Sequence, residues 1–447
     1  MIKLFQTISK KYFDNTVALS KLSKTFFVWV FGLGLVYVTN IYLIKLIGLD
    51  QYGQYSVFMS WVSLISMLIA FGWDGYLIQK IPQLSKDEAG KITNSSIIKK
   101  AIATTVILFI VFTGIIVLLS RFSTTILSFL GTGQLTAFLS LIFLFAFLAL
   151  LRSFLKIFNW VITVQWVEDF LKPLALFAVI IWYYKTNTKL DIASLYFINV
   201  FVFGAVAICL LIFAIKLYKN NFATKQVNTK EDNWISKCFY FMCIFLGYNI
   251  FSRMELLFLG FFVKNEEAAK YQILLRIADL VYVPDILFNY FLPQKFAYFF
   301  ADKKMEEAKE LYRNSARTIL LLQVLCFLGA SAVGYFYLQS FGIASAENYI
   351  LLLIACSAPV FTSLFGSTNL VLKASGNERF SFYALLIILS IEALANSILI
   401  PLYGLTAAVG LCWGSILLYN LLLSFFVHKR LGFYSRFSAL LFPSKTK

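Results

Sequence analysis

The sequence has 447 residues, 60% of them hydrophobic and 14% charged, with a mean hydropathy of +0.80 and a formal net charge of +17. Soluble domains carry about 25% charged residues, so this composition excludes a water-soluble globular chain and points to a polytopic helical membrane protein. In a soluble protein such a positive charge suggests nucleic acid; here the lysines punctuate apolar runs and set membrane orientation, and no nucleic-acid partner is expected.

In chain order, residues 1–24 read as a polar, basic cytoplasmic segment. The apolar stretch at 25–47 is too long for a secretory h-region and no small-residue cleavage site follows it, so it is read as the first span. Further spans are predicted at 54–79, 101–120, 135–156, 166–184 and 193–217, which complete an N-lobe over 25–217. A cytoplasmic linker at 218–235 follows. The C-lobe, 236–427, carries spans at 236–262, 268–295, 315–338, 347–373, 379–400 and 405–427, and a basic tail runs from 428 to 447. Each span is long enough to cross about 30 Å of hydrocarbon at about 1.5 Å per residue. The predicted fold class is therefore all-α, with 12 transmembrane helices in two six-helix lobes.

Lysine and arginine set the orientation. With the N-terminus cytoplasmic, 31 of the 39 fall in inner segments, six in outer segments, and two, Arg253 and Arg276, inside the membrane. That asymmetry places both termini in the cytoplasm and requires an even number of spans. The two halves also echo each other. "DQYGQY" (50–55) opens span 2 as "EEAAKY" (266–271) opens span 8; "FLK" (154–156) ends span 4 as "VLK" (371–373) ends span 10; "DEA" (87–89) matches "EEA" (306–308). The nearly constant offset suggests a duplicated unit, parallel about an axis along the membrane normal.

Catalytic equipment is missing from the sequence. No outer loop exceeds about 14 residues on these boundaries, well below the roughly 50-residue minimum for a domain, and no phosphate-cradling Gly-x-x-x-x-Gly-Lys occurs. The six cysteines show no CxxC pair, so neither a metal site nor a disulfide framework is indicated and no cofactor is expected. His428, the single histidine, sits at a helix end beside Lys429 and Arg430. A transporter rather than an enzyme is the better class.

The stretch "FSRMELLFLGFFVKNEEAAKYQILLRIADL" (251–280) places Arg253, Glu255, Arg276 and Asp279 inside two spans. Intramembrane charge is costly and defaults to a functional reading. Matching depths on a hairpin permit interhelical pairs, Arg253 with Asp279 and Glu255 with Arg276. The functional alternative has one or both arginines facing a wet cavity and holding an anion, because guanidinium stays charged and its fork fits phosphate oxygens. Asp285, Asp74 and Glu392 join Glu255 and Asp279 as supporting or ion-coupling carboxylates. Asn249, Gln272, Tyr282, Asn289 and Asn396 are candidate polar lining. Arg152, Lys156 and Lys172, at inner helix ends, either snorkel or form a basic inner vestibule for an arriving phosphate.

The segment "SRMELLFLGFFVKNEEAAKYQILLRIADLVYVPDILFNYFLPQKF" resembles the helix 7–8 hairpin of Wzx-type oligosaccharide flippases, the polysaccharide, O-antigen and teichoic-acid exporters of the multidrug/oligosaccharidyl-lipid/polysaccharide flippase superfamily. "LVLKASGNERFSFYALLIILSIEALANSILIPLYGLTAAVG" resembles their helix 10–12 pattern, and "LGLDQYGQYSVFMSWVSLISMLIAFG" their first hairpin. The resemblance covers roughly 25–430, with two departures: Glu255 where the family usually has Asp, and Glu392 on a usually Asn-rich face. It implies translocation of an undecaprenyl-diphosphate-linked oligosaccharide across the bacterial inner membrane by alternating access. Arg253 and Arg276 would take the diphosphate while the polyprenyl tail stays among membrane lipids. Proton or sodium coupling, and a polymerase of the same pathway as partner, are further implications. The rivals are an ion-coupled drug or cation antiporter of the same superfamily, whose cavity should be dominated by carboxylates, and a membrane-embedded glycan polymerase or ligase, which would need a large outer loop.

Overall fold

The computed structural model describes residues 16–81, 96–122, 134–158, 160–186, 190–222, 233–289 and 292–434. The "DEA" motif at 87–89, residues 223–232 of the expected linker, and the chain before 16 and after 434 lie outside them. The described residues form helix after helix: α1 Thr16–Ala70, α2 Trp73–Lys80, α3 Ser96–Phe122, α4 Leu135–Ile157, α5 Val161–Gln165, α6 Lys172–Lys185 and α7 Ile192–Asn221. Then come α8 Trp234–Phe251, α9 Met254–Phe262, α10 Asn265–Val281, α11 Val283–Asn289, α12 Leu292–Ala301, α13 Met305–Ser340, α14 Ala346–Phe365, α15 Thr368–Ala374 and α16 Glu378–Leu431. Eight helices among the described residues are long and apolar enough to cross a membrane. Five of the expected spans are subdivided: 54–79 at the α1–α2 junction, 236–262 at the α8–α9 junction and 347–373 at the α14–α15 junction, while 166–184 begins in a π-helical stretch, Trp166–Leu171, and 268–295 is divided into α10, α11 and the start of α12.

The chain packs as two compact units. One comprises 1–47 and 61–246, the other 48–60 and 247–447. In the first, α4 packs along α7, with Phe145 and Phe203 4.6 Å apart. Phe138, Leu141, Tyr196 and Leu210 are sealed from solvent there. Gly72, at φ 71°, lets α2 start where a Cβ would lie 2.2 Å from the Cys238 carbonyl oxygen, and Trp73 stacks on Trp234 at 5.0 Å.

The second unit takes in 48–60 through close backbone contact. A Cβ at Gly53 would lie 1.8 Å from the Asn265 carbonyl oxygen, so only glycine permits the approach. Helix α16, 54 residues long, carries non-helical backbone at Gly404 (φ 52°, ψ −128°). A straight helix would separate Phe380 from Phe426 by about 69 Å at about 1.5 Å per residue. Their rings are 4.9 Å apart, so the chain reverses at Gly404 and α16 is a hairpin of two helices. The Glu267 carboxylate holds the reversal, accepting the Leu405 N–H at 2.7 Å. Tyrosines bridge neighbouring helices: Tyr337 donates to the Ile273 carbonyl at 2.8 Å, and Tyr312 to that of Phe365.

Between α12 and α13, Lys304 Nζ lies 3.1 Å from Asp302 and donates to the Tyr298 hydroxyl at 3.2 Å. Hydrogen bonds from Tyr298 and then Lys304 hold the Asp302 carboxyl below its ordinary range, and hydrogen bonds to Tyr298 and then Asp302 raise Lys304.

Candidate functional site

In the second unit, α8 ends at Phe251 and α9 starts at Met254. Arg253 stands at this break in a non-helical conformation, φ −134° and ψ −2°. Its Nε donates to Asn249 Oδ1 at 3.3 Å and its Nη1 to Ser60 Oγ at 3.2 Å. Ser60 is buried and donates to the Ser56 carbonyl, which fixes its oxygen as an acceptor for the guanidinium. Arg276, on α10, reaches Asp279 at 3.7 Å. With the Gln272 amide oxygen turned toward it, Gln272 accepts from Arg276 Nε and Nη2, both at 3.2 Å. The Arg253 and Arg276 charges lie within electrostatic reach of each other. The side chains of Arg276 and Asp279 are 40% and 51% exposed, so a ligand can reach them.

The hairpin pairs allowed by matching depth are not formed. Asp279 pairs within its own helix, where i,i+3 spacing puts it beside Arg276. Among the described residues no carboxylate comes within ion-pair range of Arg253. Glu255 is 1% exposed and accepts from the Tyr271 hydroxyl at 3.2 Å. Its neighbouring charge is a second carboxyl, Glu392, 2% exposed, with Ser415 beside it. Asn396, one turn on from Glu392, is fully buried. Both of its amide atoms, Glu255 Oε1 and Glu392 Oε2 meet no hydrogen-bond partner among the described residues. Two buried carboxyls with no cation beside them among the described residues must either keep a proton or hold a cation between them.

Tyr282, Asp285 and Asn289 gather elsewhere in the same unit, on the wall of a cavity of about 300 Å3 shared with α14, α15 and α16. Asn289 donates to Asp285 at 3.1 Å.

The first unit has its own charge cluster. Arg152 Nη1 lies 3.4 Å from Glu168, and Lys172 interacts with Glu168 and Asp169 while sitting 5.1 Å over the Phe203 ring. Asp74 feels Arg152 and Lys156. Three cations thus face three carboxylates, and a bare basic vestibule is replaced by a charge-balanced network, because "VED" in the span supplies Glu168 and Asp169. Sequence reading passed over these two acids, although adjacent carboxylates inside an apolar run are a legible signal. It also passed over Ser60, for which nothing local gives a signal, since its role depends on Arg253 193 residues away.

A model of the polysaccharide biosynthesis protein family matches residues 20–294, more than half of the chain. The chain belongs to that family. No curated protein matches the sequence. Solved structures resembling this family member include an inward-facing multidrug resistance MATE family transporter of the MOP superfamily, 11% identical, with a TM-score of 0.67 over 92% of this chain and 96% of that one. The lipid II flippase MurJ in an inward closed conformation is 13% identical, with a TM-score of 0.66 over 90% of this chain and 87% of that one. A MOP superfamily transporter from Pyrococcus furiosus is 12% identical, with a TM-score of 0.57 over 94% and 96%. At these identities the likeness is one of fold. Together with the eight long apolar helices, it describes a multi-pass membrane protein with the fold of known membrane transporters.

Proposed function

We propose that this protein moves a polyprenyl-diphosphate-linked oligosaccharide from the cytoplasmic to the outer leaflet of the bacterial inner membrane, by alternating access, for surface polysaccharide synthesis. In this reading the chain crosses twelve times as two parallel six-helix repeats with both termini cytoplasmic, and it supplies lipid-linked glycan to a polymerase of the same pathway. The observation that carries the reading is the Arg253–Arg276 pair: two guanidiniums within reach of each other, one without a carboxylate partner among the described residues. A diphosphate supplies the oxygens that such a pair lacks. The polyprenyl tail stays in lipid. Glu255 and Glu392 take up a proton or a sodium ion and couple its flow to transport.

In cells that depend on this protein for surface glycan, Arg276→Ala is expected to abolish export and accumulate lipid-linked glycan inside, with membrane levels unchanged. Normal export by that variant would overturn the reading. A cation antiporter is the second reading, favoured by the buried Glu255–Glu392 pair. Cation efflux by the purified, reconstituted protein, undiminished in Arg276→Ala, would decide for it.

A further inference from the structure

The cavity in the second unit is polar in a way that no charge-binding role uses. Its floor is the break between α14 and α15, where Gly366 takes φ 80° and a Cβ would press on the Tyr312 ring at 2.9 Å. Tyr312 donates to the Phe365 carbonyl and locks the break in place. The residues that follow are Ser367, 9% exposed, Thr368, 1% exposed, and Asn369. All three line the cavity, and Ser367 Oγ, Thr368 Oγ1 and Asn369 Oδ1 meet no hydrogen-bond partner among the described residues. Such groups are rarely left unpaired in a folded protein.

The remaining lining restricts what can pair with them. Asn369 is pinned from its other end, its Nδ2 donating to the Tyr248 hydroxyl at 3.0 Å, which in turn lies 3.0 Å from that of Tyr419. That leaves Oδ1 as a fixed acceptor. Lys373 and Asp285 line the same cavity, one basic and one acidic side chain, so the lining is formally balanced. This balance favours neither an anion nor a cation. The open positions include hydroxyls that both give and take a proton, an amide oxygen that only takes, and an ammonium that only gives. A volume of about 300 Å3 lies at the lower end of the range for small-molecule sites, about 300–1,000 Å3.

We propose that the cavity bounded by α11, the α14–α15 break and the second half of α16 is a binding subsite for a neutral pyranose, its hydroxyls satisfying Ser367, Thr368 and Asn369. This deepens the transport reading and rests on it for the sugar's source, a residue of the carried glycan. The site is separate from the arginines proposed to hold the diphosphate.

The test uses the full chain purified into lipid nanodiscs, with radiolabelled methyl α-D-glucopyranoside, methyl α-D-galactopyranoside and N-acetylglucosamine as probes in equilibrium dialysis. At least one is expected to bind saturably and without competition from inorganic diphosphate. Thr368→Val, which keeps the shape and removes the hydroxyl, is expected to weaken binding at least tenfold, while Thr368→Ser restores it. Absence of saturable binding by all three probes, displacement by diphosphate, or equal affinity in Thr368→Val would each overturn the subsite. The two readings fail separately. Sugar binding without any glycan export sinks the flippase, whereas Arg276-dependent export without sugar binding sinks only the subsite.

Discussion

Arg253 interrupts a helix in the middle of an apolar run, and its side chain is held by two neutral oxygens rather than by a carboxylate. Asn249 and Ser60 orient the guanidinium without cancelling its charge, so it keeps its attraction for an incoming anion. Each such bond to a charged group contributes about 1.5–3 kcal/mol. Ser60→Ala is therefore expected to reduce glycan export roughly tenfold, as about 1.4 kcal/mol is tenfold, with protein levels intact; wild-type export would show that Ser60 does not position Arg253. Arg276 tests shape rather than charge. Gln272 and Asp279 engage its fork at three nitrogens, and a lysine cannot reproduce that geometry. Arg276→Lys should export less than a tenth of wild type, measured as surface glycan per unit of membrane protein. The buried acids behave in the opposite sense. Glu255 and Glu392 repel each other when both are ionised, so Glu392→Gln should abolish ion-driven uptake in proteoliposomes without lowering the thermal midpoint in detergent. A large fall in that midpoint would instead assign Glu392 a structural role.

At the scale of elements, glycine decides where helices end. Gly404 reverses α16 at a φ and ψ that disfavour other residues, and a Cβ there would lie 2.2 Å from Glu267 Oε2. Gly404→Ala should cost about 1–3 kcal/mol from backbone strain alone and lose the Leu405–Glu267 bond besides. A drop in folded yield on size-exclusion chromatography in detergent checks it. Gly114, in α3, has nothing within 4 Å of its would-be Cβ, so Gly114→Ala should be neutral or stabilise by up to about 1 kcal/mol. The α12–α13 turn bears on pH. The lowered Asp302 stabilises above its ordinary range, near pH ~4, and loses that only as pH falls further; the raised Lys304 does so below pH ~10 and loses it only above. Between about pH 5 and 9 this turn is constant, so a pH dependence of transport in that window originates elsewhere. Long apolar runs made the helices legible in the sequence, and a glycine near 404 made the α16 turn legible. The subdivision of α10 to α12 was not, since Pro284 and Pro293 admit either a kink or a break.

Over the whole molecule, composition fixed the class, and the hairpin motif pointed to the family that the match over 20–294 supports. The site was only half legible. Sequence separation hides pairs such as Arg253–Ser60 and Glu255–Glu392, and nothing in a single helix tells whether Arg276 turns to Asp279 or to Glu255. Topology remains the property on which transport direction depends. Lys264 stands at the turn before α10, and Lys303 at the turn after α12, with the helices α10, α11 and α12 between them. At about 1.5 Å per residue the 34 residues of these helices have a summed length of about 51 Å, more than the roughly 30 Å hydrocarbon core. On the proposed topology the two lysines fall on opposite sides, and the excess of basic residues after α12 predicts Lys303 on the cytoplasmic one. With the six native cysteines replaced, Lys264→Cys should react with a membrane-impermeant maleimide added to intact spheroplasts. Lys303→Cys should react only after lysis. Labelling of both from outside, or of Lys303→Cys alone, would overturn the proposed orientation and with it the proposed direction of transport.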